Sequence, residues 1–215
     1  MAFSGWKVEA LEFFEGLEAE NTKAYWQRNK ATYDDLVRAP MEALLAELEP
    51  DWGEGRLFRP YRDVRFSRDK TPYKTHMGAR IGNSGYVQLS AEGLAAGCGM
   101  WEMASDQLER YREAVDDDAT GPALAAMVAD ARADGIDVMS HDQLKTAPRG
   151  YPKDHPRVEL LRYKGLATWR SWQAGAWLGT RRAKDRIVGF LEDSRPVRQW
   201  LDTNVGPSTL PDRGR

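Results

Sequence analysis

One cysteine, Cys98, and three histidines, His76, His141 and His155, are all that this 215-residue chain has of the residue types that most often build disulfides and transition-metal sites. A single cysteine excludes an internal disulfide, so nothing calls for an oxidising compartment, and the expected location is the cytoplasm. No pair of histidines has the spacing of a zinc or iron site, and no metal or other cofactor is expected. Long hydrophobic runs are missing too. None approaches the roughly 18 apolar residues of a membrane span, and the opening MAFSGWKVEALEFF lacks a basic region followed by an apolar one, so no membrane association and no targeting signal are expected. The chain also lacks an excess of one charge: 31 Lys and Arg against 33 Asp and Glu leave a formal net charge of -2. That balance argues against a dedicated nucleic-acid coat protein and leaves room for a local anion site.

What is present suits a globular protein. The hydrophobic fraction is 41%, the charged fraction 30%, and eight Trp supply large core surfaces. A chain of this length can bury roughly 70% of the surface it exposes when unfolded. Val8, Leu11, Phe13, Phe14 and Leu17 recur at helical spacing, with Ser4 or Gly5 in the place of an N-cap. A second helix starts at Asn21 or Thr22 and runs to Arg38, and Pro40 opens a third that ends near Leu48. After a loop over residues 49–55 the period changes from 3.6 to 2. Residues 63–67, 75–81, 86–90 and 94–101 read as strands, the last with Ala95, Gly97 and Gly99 on one face, which marks a bulge or a close approach to the backbone. Cys98, within that small-residue strand, is expected to be buried. Helices over 107–115, 122–132, 158–163, 181–191 and up to Leu201, with strands near 136–139 and 166–172, complete the pattern. The expected fold is α+β: a central antiparallel sheet of about four to six strands with helices packed on and around it. It is expected to form one domain over residues 1–206, followed by a frayed tail over 207–215.

The most distinctive stretch is RLFRPYRDVRFSRDKTPYKTHMGARI, residues 56–81. It carries eight Arg or Lys against two Asp in a chain that is acidic overall. A basic island seeded with Pro60, Pro72, Tyr61, Phe66 and Tyr73 is suited to hold something negatively charged. On a strand over 63–67, Arg65 shares a face with Asp63, which makes Arg65 the first ligand arm and Asp63 its orienting partner. The turn that follows supplies Lys70, Tyr73, Lys74 and His76, types that bind phosphate or carboxylate. Lys74 and His76 are expected on one face near Arg80, leaving Val64, Phe66 and Met77 for the buried face. The competing reading is a structural ion-pair network among Asp63, Asp69 and the arginines. His155, beside Asp154 in a proline-rich loop with Arg149, has the chemistry of a general base, and a structural loop histidine is the bland alternative. Trp169, Trp172 and Trp177 with Arg170, Arg181 and Arg182 suit either ring stacking or a core with a solvated rim.

RPYRDVRFSRDKTPYKTHMGA, together with LKTAPRGYPKDHPRVELLRYKGL and AYWQRNKATYDDLVRAPM, resembles the conserved hypothetical family called domain of unknown function 2461, over most of the chain. The resemblance implies a single-domain cytoplasmic protein. Its motif residues here would be Arg62, Asp63, Arg65, Phe66, Asp69, Lys70, Thr71, Pro72, Tyr73 and Lys74, with Arg149, Gly150, His155 and Pro156 from the second block. It passes on no role for them. Where the family tends to have paired asparagines and then Trp-Phe, this chain has Glu20-Asn21 and Tyr25-Trp26.

The leading expectation is a basic pocket for a phosphate- or carboxylate-bearing small ligand. It would be made by Arg62, Arg65, Lys70, Tyr73, Lys74 and His76 with Arg149 from the later loop. If there is turnover, it would be hydrolysis or group transfer with Asp63 or His155 as base. The alternative is a nucleic-acid or protein binding module that uses the basic hairpin as a surface. A pocket would bury the arginines, whereas a surface would leave them exposed.

Overall fold

Helix α1, Val8–Ala19, turns Ala10, Leu11, Phe13, Phe14 and Leu17 inward, the face set by their three- and four-residue spacing, while Val8 stays exposed. In this computed structural model, which describes residues 2–65 and 67–211, α1 starts later than Ser4 or Gly5 would cap it. Gly5 has another task. At φ +102° it lies so close to the chain at Leu178–Thr180 that a Cβ would fall 2.3 Å from the Thr180 nitrogen. That approach lets the Trp6 N–H reach the Leu178 carbonyl at 2.9 Å.

Helix α2, Lys23–Thr32, is capped by Thr22, whose hydroxyl accepts the Tyr25 N–H at 3.1 Å. The expected break before Pro40 is absent. A π-helical segment, Tyr33–Arg38, joins α2 directly to α3, Ala39–Trp52. In an α-helix the ring of Pro40 would crowd the carbonyl four residues back and leave it without a donor. Here the preceding Ala39 N–H reaches five residues back to Asp34, a wider turn in which the ring is accommodated. The chain is therefore helical from 23 to 52, past the expected end near Leu48.

The sheet has six antiparallel strands: β1 (Gly55–Leu57), β2 (His76–Ile81), β3 (Gly85–Ser90), β4 (Gly93–Met100), β5 (Asp137–Met139) and β6 (Leu166–Gln173), in the order β1-β2-β3-β4-β6-β5. The fold is α+β. β1 starts at the last residue of the expected loop and runs into residues given no element, and the strand expected over 63–67 is not formed at residues 63–65 or 67, Phe66 being outside the described residues. In the register Gly55 opposes Ile81, and His76 opposes Ser90.

The residues divide into two compact units, one of the chain up to Ala96 with Ser171–Phe190, the other of Gly97–Arg170 with the chain from Leu191 onward. Strands β4 and β6 each contribute to both. In the first unit, Met77, Ala79, Ile81, Val87 and Leu89 form the buried side of β2 and β3, against which α1 and α3 pack. Glu47 of α3 gathers the Phe3 N–H at 2.8 Å, Lys184 at 2.8 Å and Arg181 at 3.0 Å, which holds its carboxyl down at about 2.

The second unit holds α4 (Ser105–Asp116), α5 (Gly121–Ala133), the short α6 (Val158–Arg162) and α8 (Arg195–Asn204), while α7 (Arg182–Asp193) spans the boundary. The cap of α4 is Ala104, whose N–H is received by the Gln107 side chain at 3.0 Å. Asp106 instead accepts the Thr209 N–H and the Ser208 hydroxyl, both at 2.8 Å, contacts that hold its carboxyl well below the usual range. Gly97 is the expected close approach, with the ring of Trp169 lying over it. Cys98 is buried.

Thr168 and Ser194 are the buried polar pair. Thr168 Oγ1 lies 3.0 Å from the Cys98 carbonyl and 2.8 Å from Ser194 Oγ. A carbonyl only accepts, so Thr168 donates to Cys98 and Ser194 donates to Thr168. Thr168→Val is expected to lower the unfolding free energy in urea by about 1–3 kcal/mol, with Thr168→Ser retaining most of it. Equal losses in both variants would assign the effect to packing instead. Among the described residues, no helix is long and apolar enough to cross a membrane.

Candidate functional site

The basic stretch folds as an irregular hairpin. Beyond β1 and β2, its arms continue through Phe58 N–H to Gly78 O at 2.9 Å, Lys74 N–H to Pro60 O at 2.8 Å, a Tyr61–Tyr73 bridge, and Arg62 N–H to Pro72 O at 2.9 Å. Tyr73 is the most deeply buried anchor of the hairpin on the helices. Tyr73, 4% exposed, stacks on Trp26 with ring centroids 4.4 Å apart and planes 5° from parallel. Asn21 clamps the Tyr73 backbone from both sides, donating to its carbonyl at 2.9 Å and accepting its N–H at 3.1 Å. The Glu20 that stands where the family tends to have a further asparagine faces Arg28 instead, 2.8 Å away. Tyr73, expected among the ligand contacts, is thus a packing residue.

At the tip both aspartates are paired with arginines. Arg62 pairs with Asp69 and Thr71. Asp69 also receives the Thr71 N–H at 3.0 Å and its hydroxyl at 2.9 Å, and with Arg62 contributing most, its carboxyl is lowered to about 2. Arg65 grips Asp63 through Nε at 3.0 Å and Nη2 at 2.6 Å, and this lowers Asp63 to about 2. Lys70 Nζ donates to the Val64 carbonyl at 2.9 Å. For Arg62, Arg65 and Lys70 the arrangement is that of a structural network. The Arg65 side chain stands 76% exposed. Asp63, chelated and so strongly acidic, is a poor proton acceptor at neutral pH.

A cluster of basic groups lies on the other side of the sheet from the core. Alternation sends Arg56 and Phe58 outward from β1 and its extension, Lys74, His76, Gly78 and Arg80 from β2 and its approach, and Tyr86, Gln88 and Ser90 from β3. Arg56 and Arg80 stand directly opposite each other in the register. Lys74 Nζ sits 5.6 Å from the centroid of the Phe58 ring. Its pKa is pushed down by burial and then by Arg59, and that of His76 by burial and then by Lys74. Among the described residues none of Arg56, Arg59, Lys74, His76 or Arg80 has a carboxylate partner at ion-pair distance, although Asp63 feels Arg59 through space. The Tyr86 ring lies across Gly78, where a Cβ would meet its hydroxyl at 2.4 Å. Its phenol, pushed up to about 12 by burial, donates to Gln88 Oε1 at 2.9 Å, and its ring is 6.1 Å from that of Phe58. Phe58, Tyr86 and Arg56 were not foreseen as site residues. The signal for Arg56 and Phe58 was the short alternation over residues 55–58, and for Tyr86 its place on the strand expected over 86–90.

Arg149 and His155 belong to the second unit. Arg149 is exposed. The His155 side chain is 9% exposed and both its nitrogens are engaged, Nδ1 accepting the Arg157 N–H at 3.0 Å and Nε2 lying 3.2 Å from Asp116 Oδ1. The backbone N–H fixes the tautomer with the proton on Nε2. No lone pair is left for a substrate proton, and the acid partner is Asp116 rather than the adjacent Asp154. Trp177 lines a shallow groove of about 450 Å³ with Ala176, Thr180, Arg181, Arg182 and Asp185. Arg186 lies over its ring at 4.5 Å, while Trp172 meets Phe190 edge-on at 6.1 Å. Among the described residues no three His, Cys, Asp or Glu side chains group as metal ligands.

Fold and site together define an α+β protein whose sheet has a basic and aromatic face, exposed at Arg56, Phe58 and Arg80 and half-buried at Lys74, His76 and Tyr86. Residues 9–200 match the family described as "Conserved hypothetical protein (DUF2461)", and the chain belongs to it. No curated protein and no solved structure matches the chain.

Proposed function

We propose that the outward face of β1, β2 and β3 binds a phosphate- or carboxylate-bearing ligand through Arg56, Lys74, His76 and Arg80, with Arg59 close enough to Lys74 to contribute from the end of β1. One observation carries this reading: these five basic groups sit together without carboxylate partners, while the neighbouring Arg62 and Arg65 each have one. Clustered cations repel, and burial adds to the cost of charging Lys74 and His76. A bound anion removes both penalties. The binding surface is an open face rather than a closed pocket, and the role is binding rather than turnover, since Asp63 and His155 are both engaged by neighbours.

The test is a thermal-shift panel of pyrophosphate, phosphorylated metabolites and nucleotides. Wild type and Arg65→Ala are expected to respond alike, and Lys74→Ala to lose the response. If Arg65→Ala loses it and Lys74→Ala keeps it, the ligand sits at the hairpin tip and this assignment fails.

A further inference from the structure

Resting on that anion-binding reading, we infer that the ligand is a single strand of nucleic acid laid along the outward face, with a base stacked at Phe58. The first argument is reach. Lys74 and Arg80 are six residues apart on an extended chain, which at ~3.3 Å per residue puts about 20 Å between the two ends of the cation row. One phosphate can satisfy only one end. Filling both requires several phosphates joined along a chain.

The second argument is the aromatic surface between the ends. Phe58 stands next to Gly78, midway along the row, and is 42% exposed. With no side chain at position 78, the Tyr86 ring lies across the sheet beside it. Flat rings alternating with cations are the chemistry of a base-stacking platform, which accepts any base because every base has a π-face. The ammonium of Lys74 now rests over the Phe58 ring. A base taking that place would hand the cation to its own phosphate, so stacking and charge neutralisation occur in one step. A duplex keeps its base faces inside its own stack and cannot use such a ring, and an acidic peptide has no base to place there. Gln88 and Ser90, half-buried on the same face, offer polar groups without adding negative charge.

The test is fluorescence anisotropy with labelled oligo(dT) and oligo(U) of about 12 nucleotides, one site's length, on the full chain. Binding is expected to weaken with salt at a log–log slope of about -3, since Arg56, Arg59, Lys74 and Arg80 would each meet one phosphate and each neutralised phosphate contributes about 0.7. Arg80→Ala should reduce the slope by about 0.7. Phe58→Ala should weaken binding roughly 5- to 100-fold. Phe58→Leu, which keeps apolar bulk and removes the π-face, should do nearly the same, and it decides the matter if the alanine variant is poorly folded. A preference between the two oligomers identifies DNA or RNA as the natural strand. Mononucleotide or pyrophosphate binding as tightly as the oligomers would overturn the strand while leaving the anion face standing. A duplex or poly-glutamate binding equally well, or indifference to both Phe58 variants, would overturn the stacked strand. Failure of oligomers and small anions alike would overturn both.

Discussion

Tyr73→Ala is expected to lower the free energy of unfolding by about 3–5 kcal/mol, the largest effect of any single change in the hairpin. The ring is 4% exposed and stacks on Trp26 at 4.4 Å, with Tyr61 5.4 Å away. Trp26 in turn meets Tyr33 at 4.6 Å and Phe13 at 5.8 Å. Truncation leaves a cavity in the middle of this cluster, where neighbours fixed on α1 and α2 can only partly close in. Tyr73→Phe keeps the stack and should cost less than about 1 kcal/mol. Because Lys74 follows directly, the alanine variant should also lose its response to anions at temperatures where it remains folded. Urea unfolding followed by circular dichroism measures the first effect. A loss under about 1 kcal/mol for Tyr73→Ala would mean that the Asn21 clamp alone holds the hairpin.

Acid should destabilise the protein steeply below the ordinary carboxylate range. Glu47 falls from 4.5 to about 2 through Lys184 first, then the Phe3 N–H and Arg181. Asp69 falls from 3.8 to about 2, chiefly through Arg62. As pH drops through 4.5, the unfolded chain takes up protons at these sites first, while the native state takes them up only near 2. The unfolded state binds more protons throughout that window, so stability falls with pH and these contributions are gone once pH passes below about 2. His76 acts in the same direction at higher pH. Its native pKa lies below 6.5, so the unfolded chain protonates first as pH falls through 6.5. Urea midpoints measured from neutral pH downward should decline most steeply in the carboxylate window, and Glu47→Gln should flatten that decline. An unchanged slope in Glu47→Gln would show that Glu47 titrates normally.

Much of the framework was readable from periodicity. The alternation of Met77, Ala79 and Ile81 with His76, Gly78 and Arg80 survives as β2, and the spacing of Leu11, Phe14 and Leu17 survives as α1. The misread stretch, residues 63–67, alternates just as well, but local side-chain contacts prevail there. Asp63 and Asp69 bond to backbone N–H groups two residues on, an alternative that competes with strand pairing. Charge could be counted but not paired. Arg62 finds Asp69 seven residues away and His155 finds Asp116 thirty-nine away, distances that no local pattern encodes. The candidate site therefore moved from the tip, where Arg62 and Arg65 are held by aspartates, to the sheet face beside it. Arg56 and Phe58 entered the site because β1, three residues long, carried too little pattern to be seen.

The π-helical joint at Tyr33–Arg38 has a mechanical consequence. By bridging Pro40 instead of breaking there, it makes residues 23–52 one helical run of about 45 Å. Asn21 and Trp26 hold the hairpin at one end of this run, and Glu47 holds the segment at Phe3 and the start of α7 near the other. Amide hydrogens along it should exchange slowest in α3 and fastest at the wide turn. Loosening the hairpin anchor would then be felt at the N-terminal attachment, so the sheet face is kept in shape by residues far from any ligand.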